Sequence, residues 1–199
     1  MKRVYWPLDS STKRLFGKKK KKSVGKTTLV QKVVKGLQNA GLPCYGFVTQ
    51  EIRQGGRRSG FDIVTLDGKS AVLSRVKPDS GGKRECRVGQ YVVDVPSFES
   101  LALPVLNKTS DGHILVLDEI GKMEMFSQKF VSGVRQVMGQ SSSTVLTTIP
   151  IPKGRPIPLV EEIRNRKDIL LINLSRENRD DPNLEVQIIG CLSSSLQKK

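Results

Sequence analysis

Histidine is almost missing from this sequence, cysteine is scarce, and no long apolar run occurs. The one histidine, His113, cannot build a His-rich metal site and disfavours histidine catalysis; beside an apolar run it reads as a strand-entry residue. Cys44, Cys86 and Cys191 stand far apart with no CxxC pair, so they read as free thiols rather than zinc ligands or a redox couple. No apolar stretch approaches the ~18 residues of a membrane-spanning helix, and the N-terminus lacks the apolar core of a secretory signal. The expectation is a soluble cytoplasmic protein with no membrane partner. No repeat of roughly 20–50 residues is visible, which excludes solenoid architectures.

Positive charge, by contrast, is abundant. The chain has 199 residues and a formal net charge of +15, which invites a nucleic-acid reading until its distribution is considered. Residues 1–26 hold ten Lys or Arg, five of them in the run Lys18–Lys22, against one acid, Asp9. The body is only moderately basic, as suits a protein that handles polyphosphates. A lysine run without interleaved aromatics reads as a solvated segment, so nucleic acid is not the expected partner, although the run also permits nuclear entry.

Along the chain, Leu29, Val33 and Leu37 recur at helical spacing between Thr27 and Ala40, and Gly41 and Pro43 stop the helix. A strand Cys44–Thr49 comes next. The glycine-rich turn at 54–60 leads to strands Phe61–Leu66 and Ala71–Val76, with Tyr91–Val95 as a further strand and Phe98–Leu106 as a helix capped by Ser97. Ile114-Leu115-Val116-Leu117 precedes Asp118-Glu119, the pattern of a strand buried on both faces. Helix Phe126–Met138, strand Thr144–Ile149, helix Leu159–Arg166 and strand Ile169–Leu174 continue the alternation. The fold class expected is α/β, a mostly parallel sheet flanked by helices with an antiparallel β insertion. The organisation expected is a basic leader at 1–22, one domain at 23–192 and a tail at 193–199.

Ser23-Val24-Gly25-Lys26-Thr27-Thr28 opens the first helix as the second half of the phosphate-binding pattern G-x-x-x-x-G-K-[ST]. Gly25 lets backbone N–H groups turn toward phosphate, the helix start adds positive potential, Lys26 reaches the β- and γ-phosphates, and Thr27 is a ligand for Mg²⁺. Taken alone, a G-K-T match is also an ordinary helix start; the acid-ended strand downstream supports the functional reading. Counting back from Gly25, Lys20 stands where the pattern has glycine, and the lysine run occupies the place of the usual buried strand. Val4–Leu8 or Leu15-Phe16 are the remaining strand candidates. Asp118 is assigned to Mg²⁺, and Glu119 orients or deprotonates the attacking water. Arg57, Arg58, Lys122, Lys153, Arg155, Arg164 and Arg166 are cations available to a phosphoryl group, each otherwise a surface charge.

With Gln54-Gly55-Gly56-Arg57-Arg58-Ser59-Gly60-Phe61, Gly82–Tyr91, Leu117–Glu124 and Val160–Asp168, these motifs resemble the small P-loop nucleoside-triphosphatase family over roughly Ser23–Arg179. The resemblance implies a P-loop NTPase fold related to nucleotide kinases and AAA-type ATPases. It also implies Mg²⁺-dependent hydrolysis of ATP, GTP, CTP, UTP and TTP with low base selectivity; separately, a monomer is expected. It places nucleotide-binding positions at Val24, Gly25, Lys26, Thr27 and Thr28 and at Leu115, Val116, Leu117, Asp118, Glu119, Ile120, Gly121 and Lys122. Catalytic roles fall to Lys26 and Glu119, and metal ligation to Thr27 and Asp118. At Lys20–Ser23 the family has Gly-Pro-Pro-Gly, which leaves a nucleotide-binding variant without turnover as an alternative. The same cradle also serves nucleotide or nucleoside kinases, although no acceptor-site signature is visible in the sequence.

Overall fold

Ile114–Asp118 forms a strand in which every residue is buried, because branched side chains fill both faces of the sheet at once. In the computed structural model, which describes residues 3–6, 25–78, 85–108, 112–151 and 154–197, this strand is β7. Before it come β1 (Arg3–Trp6), α1 (Lys26–Asn39), β2 (Cys44–Gln54), β3 (Arg57–Thr65) and β4 (Ser70–Val76), then β5 (Arg87–Val88), β6 (Tyr91–Val93) and α2 (Val95–Asn107). After it come a 3₁₀ turn at Glu124–Phe126, α3 (Gln128–Gly139), β8 (Thr144–Thr148), α4 (Pro158–Arg164), β9 (Ile169–Leu171) and α5 (Pro182–Gln197).

The strands form one nine-stranded sheet in the order β5-β6-β4-β3-β2-β7-β8-β1-β9. From β2 to β9 neighbours run parallel, and from β2 to β5 they run antiparallel. The antiparallel segment expected as an insertion therefore extends the parallel sheet edge to edge. Of the two strand candidates in the basic leader, the first supplies β1, paired with β8 and β9; Leu15-Phe16 and the rest of 7–24, Lys18–Lys22 included, lie outside the described residues.

Alternation along β7 divides the core in two. Leu115 and Leu117 join Phe47, Phe98 and Phe130 under α2, α3 and α4, while Ile114 and Val116 join the apolar faces of α1 and α5. At Gly46 of β2, φ is +136°, and a Cβ would stand 2.0 Å from the Val116 carbonyl oxygen, so glycine lets β2 lie against β7.

Several boundaries differ from the sequence reading; β2 runs on to Gln54 and β3 starts at Arg57, so the turn expected over 54–60 narrows to Gly55-Gly56. Helix α2 is capped by Asp94, whose carboxylate accepts from the Ser97 N–H at 3.0 Å, and not by Ser97. Pro96 fits in the first turn because it needs no N–H partner there, and the Ser97 hydroxyl instead accepts from Val72 N–H of β4. Helix α3 begins after Phe126, since the Ser127 hydroxyl accepts from Phe130 N–H and supplies the cap. Residues 193–197, read as a tail, belong to α5, which buries Leu184, Ile188, Leu192 and Ser195 along one face.

Phe130 is fully buried, with its ring 5.0 Å from Phe98 and 6.2 Å from Phe47. Phe130→Ala is expected to lower the unfolding free energy by about 3–5 kcal/mol, through lost burial and the cavity left behind. Urea unfolding monitored by circular dichroism checks this.

Candidate active site

The parallel half of the sheet brings the end of β7 beside the start of α1. Gly25 begins the helix with φ +99°, a left-handed conformation open to glycine, and its carbonyl accepts from Leu29 N–H at 3.0 Å. Among the described residues no side chain caps this terminus, and its first turn carries no acid, which suits an anion at the first N–H groups. Lys26 projects from that turn, and its Nζ forms an ion pair with Glu119 Oε2. The two residues are 93 positions apart in the chain.

Threonines on the neighbouring strands hold the end of β7. Thr49 Oγ1 of β2 donates to the Asp118 carbonyl at 2.5 Å, and Thr147 Oγ1 of β8 donates to the Leu117 carbonyl at 2.5 Å. The Thr148 hydroxyl donates to Asp118 Oδ1 at 2.5 Å, and Ile120 N–H donates to the Thr148 carbonyl at 2.9 Å. These threonines carried no signal in the sequence beyond strand propensity; their role arises from the register that sets Val48 opposite Asp118 and Thr147 opposite Leu117.

Asp118 is 1% exposed, and its Oδ2 has no hydrogen-bond partner among the described residues. Burial pushes its carboxyl above the ordinary value, while the hydroxyls of Thr148 and Thr27 pull the other way. A buried carboxylate oxygen left without a partner next to a threonine hydroxyl fits a hard divalent cation such as Mg²⁺. Among the described residues no group of three His, Cys, Asp or Glu side chains could hold a metal. A cation here would therefore draw its remaining ligands from phosphate and water, as Mg²⁺ commonly does.

Glu124 is a carboxyl that the sequence reading left without a role. It is 4% exposed, and its Oε2 accepts from Gly121 N–H at 2.9 Å. Burial, with the Glu119 charge nearby, pushes it up to about 8. Gly121 separates the two acids: a Cβ there would lie 2.7 Å from Glu119 Oε1 and 3.2 Å from Glu124 Oε2.

The structure thus gathers Gly25, Lys26, Thr27, Asp118, Glu119 and Gly121. Leu115, Val116, Leu117 and Ile120 are buried among the core side chains and act by holding the backbone that carries Asp118, Glu119 and Gly121. Thr28 is exposed, Lys122 lines a cavity beside Glu119, and Val24 lies outside the described residues. Of the other cations, Arg58 pairs with Glu51, Arg164 with Glu161 and Arg166 with Asp168; Arg57 is exposed, Arg155 lines the same cavity as Lys122, and Lys153 lies outside the described residues. A cation absent from that set, Arg179, comes close to the helix start, with its Cδ 3.9 Å from where a Cβ on Gly25 would be.

A carboxyl whose folded value exceeds its unfolded value binds its proton more tightly in the folded protein, so stability falls as pH rises between the two values. For Glu124 that window runs from 4.5 to about 8. In metal- and nucleotide-free protein, Glu124→Gln should gain stability relative to wild type across this window and keep a constant advantage above it. Thermal melts at a series of pH values measure the difference, and a gap that does not grow with pH would contradict it.

The chain matches the NTPase family over residues 21–188. The human cancer-related nucleoside-triphosphatase is 54% identical over 178 residues, 86% of this chain and 93% of that protein. The nucleoside-triphosphatase THEP1 of Aquifex aeolicus is 42% identical over 165 residues, 79% of this chain and 88% of the relative. The solution structure of a human cancer-related nucleoside triphosphatase superposes with a TM-score of 0.79 at 48% identity, covering 98% of this chain and 99% of that one. The crystal structure of THEP1 from the hyperthermophile Aquifex aeolicus gives 0.74 at 35% identity, covering 96% and 99%. A helix start bearing Gly-Lys-Thr beside an acid-ended buried strand, in a chain this similar to those proteins over most of its length, places it in the NTPase family with a P-loop α/β fold.

Proposed function

We propose that the chain hydrolyses nucleoside triphosphates, ATP, GTP, CTP, UTP and TTP, to the diphosphate and phosphate with low base selectivity. The observation that carries this reading is the meeting of Lys26 with Glu119 beside the buried Asp118, residues from distant parts of the chain with complementary roles in phosphoryl transfer. Lys26 and the free N–H groups at the start of α1 hold the phosphates. Thr27 and Asp118 hold Mg²⁺, which supplies charge neutralisation at the transferring phosphoryl group when bound. Glu119 stands beyond the sheet end with a side chain 30% exposed, positioned to take a proton from water. Asp118, enclosed and hydrogen-bonded by Thr148, is unsuited to reach that water and is better placed as a ligand.

Among the described residues no helix is long and apolar enough to cross a membrane. We read the working unit as a monomer with no nucleic-acid partner, in which β1 and the whole of α5 belong to the same domain as residues 23–192.

Glu119→Gln should lower phosphate release by about 100-fold or more while nucleotide binding is retained, because the variant keeps the shape and loses the base. Steady-state phosphate release together with calorimetric binding separates the two effects; undiminished release would remove Glu119 from the chemistry.

The atypical stretch before Gly25 is tested directly by replacing Lys20–Ser23 with Gly-Pro-Pro-Gly. Comparable Mg²⁺-dependent release of phosphate from ATP and GTP by both proteins is expected if backbone N–H groups from Gly25 onward suffice for the cradle. Release only by the replaced version would mean that this chain binds nucleotide without efficient turnover.

A further inference from the structure

Beside Glu119 lies a cavity of about 340 Å³, walled by Phe61 of β3, Leu73 of β4, Met123, Ile157 and Val160 of α4. This volume suits a small organic molecule, whereas one water occupies about 30 Å³. Hydrolysis alone leaves so large a space unexplained. The cavity is distinct from the phosphate cradle, because neither Lys26 nor any other residue of α1 lines it, and Lys26 meets Glu119 through its Oε2.

Glu119 therefore borders two chemically distinct spaces. One side faces the lysine that would hold phosphate, and the other faces an apolar chamber. Glu119 Oε1 lies close against Gly121, 2.7 Å from where a Cβ would stand, and Glu124, also in the cavity lining, accepts from Gly121 N–H. The wall opposite comes from the antiparallel half of the sheet, which contributes nothing to the phosphate cradle. At the edge of the chamber Lys122 and Arg155 are exposed, and neither forms an ion pair among the described residues.

We infer that this cavity is an acceptor site for a small alcohol with an aromatic or aliphatic body, whose hydroxyl Glu119 activates for attack on the γ-phosphate. The inference rests on the triphosphatase reading above and adds a second substrate to it. In the step, the hydroxyl oxygen forms a bond to the γ-phosphorus, the bond from that phosphorus to the β,γ-bridging oxygen breaks, and the hydroxyl proton passes to Glu119. The products are a phosphate monoester and the nucleoside diphosphate. Water reaching the same base gives inorganic phosphate instead, so hydrolysis is the outcome when the chamber holds no alcohol.

The full chain is incubated with Mg²⁺, ATP labelled in the γ-phosphate, and benzyl alcohol, 4-(hydroxymethyl)pyridine or cyclohexylmethanol in separate reactions, and labelled esters are separated from inorganic phosphate. At least one labelled ester is expected, and Ile157→Trp, which fills the chamber, should lower ester formation relative to phosphate by about tenfold or more. Met123→Trp serves the same purpose if Ile157→Trp fails to fold. Saturation-transfer NMR on nucleotide-free protein reads alcohol binding independently, with signals present in wild type and lost in the filled variant. Phosphate release with no ester from any of the three alcohols overturns the acceptor site and leaves the hydrolase reading intact. Ester formation undiminished in the filled variants removes the cavity from the reaction. Absence of both phosphate and ester overturns both readings.

Discussion

A buried carboxylate at the end of a buried strand is the constraint on which the rest of this molecule depends. Asp118 sits at 1% exposure, where an uncompensated charge would be expensive; the Thr148 hydroxyl bonds its Oδ1, and its Oδ2 has no hydrogen-bond partner among the described residues. Keeping it there requires β7 to be central, with β2 and β8 bonded on either side and two helical layers covering its faces. The threonines at the ends of those neighbours then fix the chain direction just where it leaves the sheet. Fold and site are thus one arrangement: the sheet order that buries Ile114–Leu117 also delivers Asp118 and Glu119 to the start of α1.

The sequence exposed this arrangement unevenly, for physical reasons. Ile114–Glu119 was legible because four branched apolar residues followed by two acids have few other stable placements. Lys26-Thr27-Thr28 was legible because a phosphate cradle is a local feature, with its glycine, lysine and hydroxyl adjacent in the chain. Thr49, Thr148 and Glu124 were not legible, since each matters only through a partner that register or a turn brings near. Glu124 in particular closes the motif Leu117–Glu124, yet nothing local gives it a role until Gly121 N–H is found bonded to it. Helix α5 escaped notice because its buried positions Leu184, Ile188 and Leu192 are diluted by serines and by the exposed Val186. The P-loop fold itself was expected from motif resemblance and agrees with the solved structures that superpose on this chain.

The antiparallel half of the sheet raises a different kind of question. Edge strands are a liability unless they are short, twisted or covered, and β5 and β6 are two and three residues long. Their brevity ends the sheet without a long open edge. Strands β3 and β4 are longer than edge protection would require, and they place Phe61 and Leu73 opposite α4 across the chamber next to Glu119. The parallel half of the fold therefore supplies the charges of the site, and the antiparallel half supplies its apolar wall.

Charge balance decides how an anionic substrate can approach three carboxyls. Asp118, Glu119 and Glu124 cluster around one lysine, and a polyphosphate brought against three negative charges would be repelled. Two features reduce that repulsion. At neutral pH the Glu124 carboxyl, raised to about 8 chiefly by burial, holds its proton, so it contributes a polar wall without a full charge. Asp118 presents its unpartnered oxygen next to Thr27, where a divalent cation fits and would reverse the local sign. In the proposed mechanism Glu119 is then the carboxylate left to act as a base, held by its salt bridge to Lys26 until phosphate would compete for the lysine. On the proposed reading, a phosphate that takes Lys26 from Glu119 would free the carboxylate at the moment a base is needed and so couple substrate binding to activation of the nucleophile.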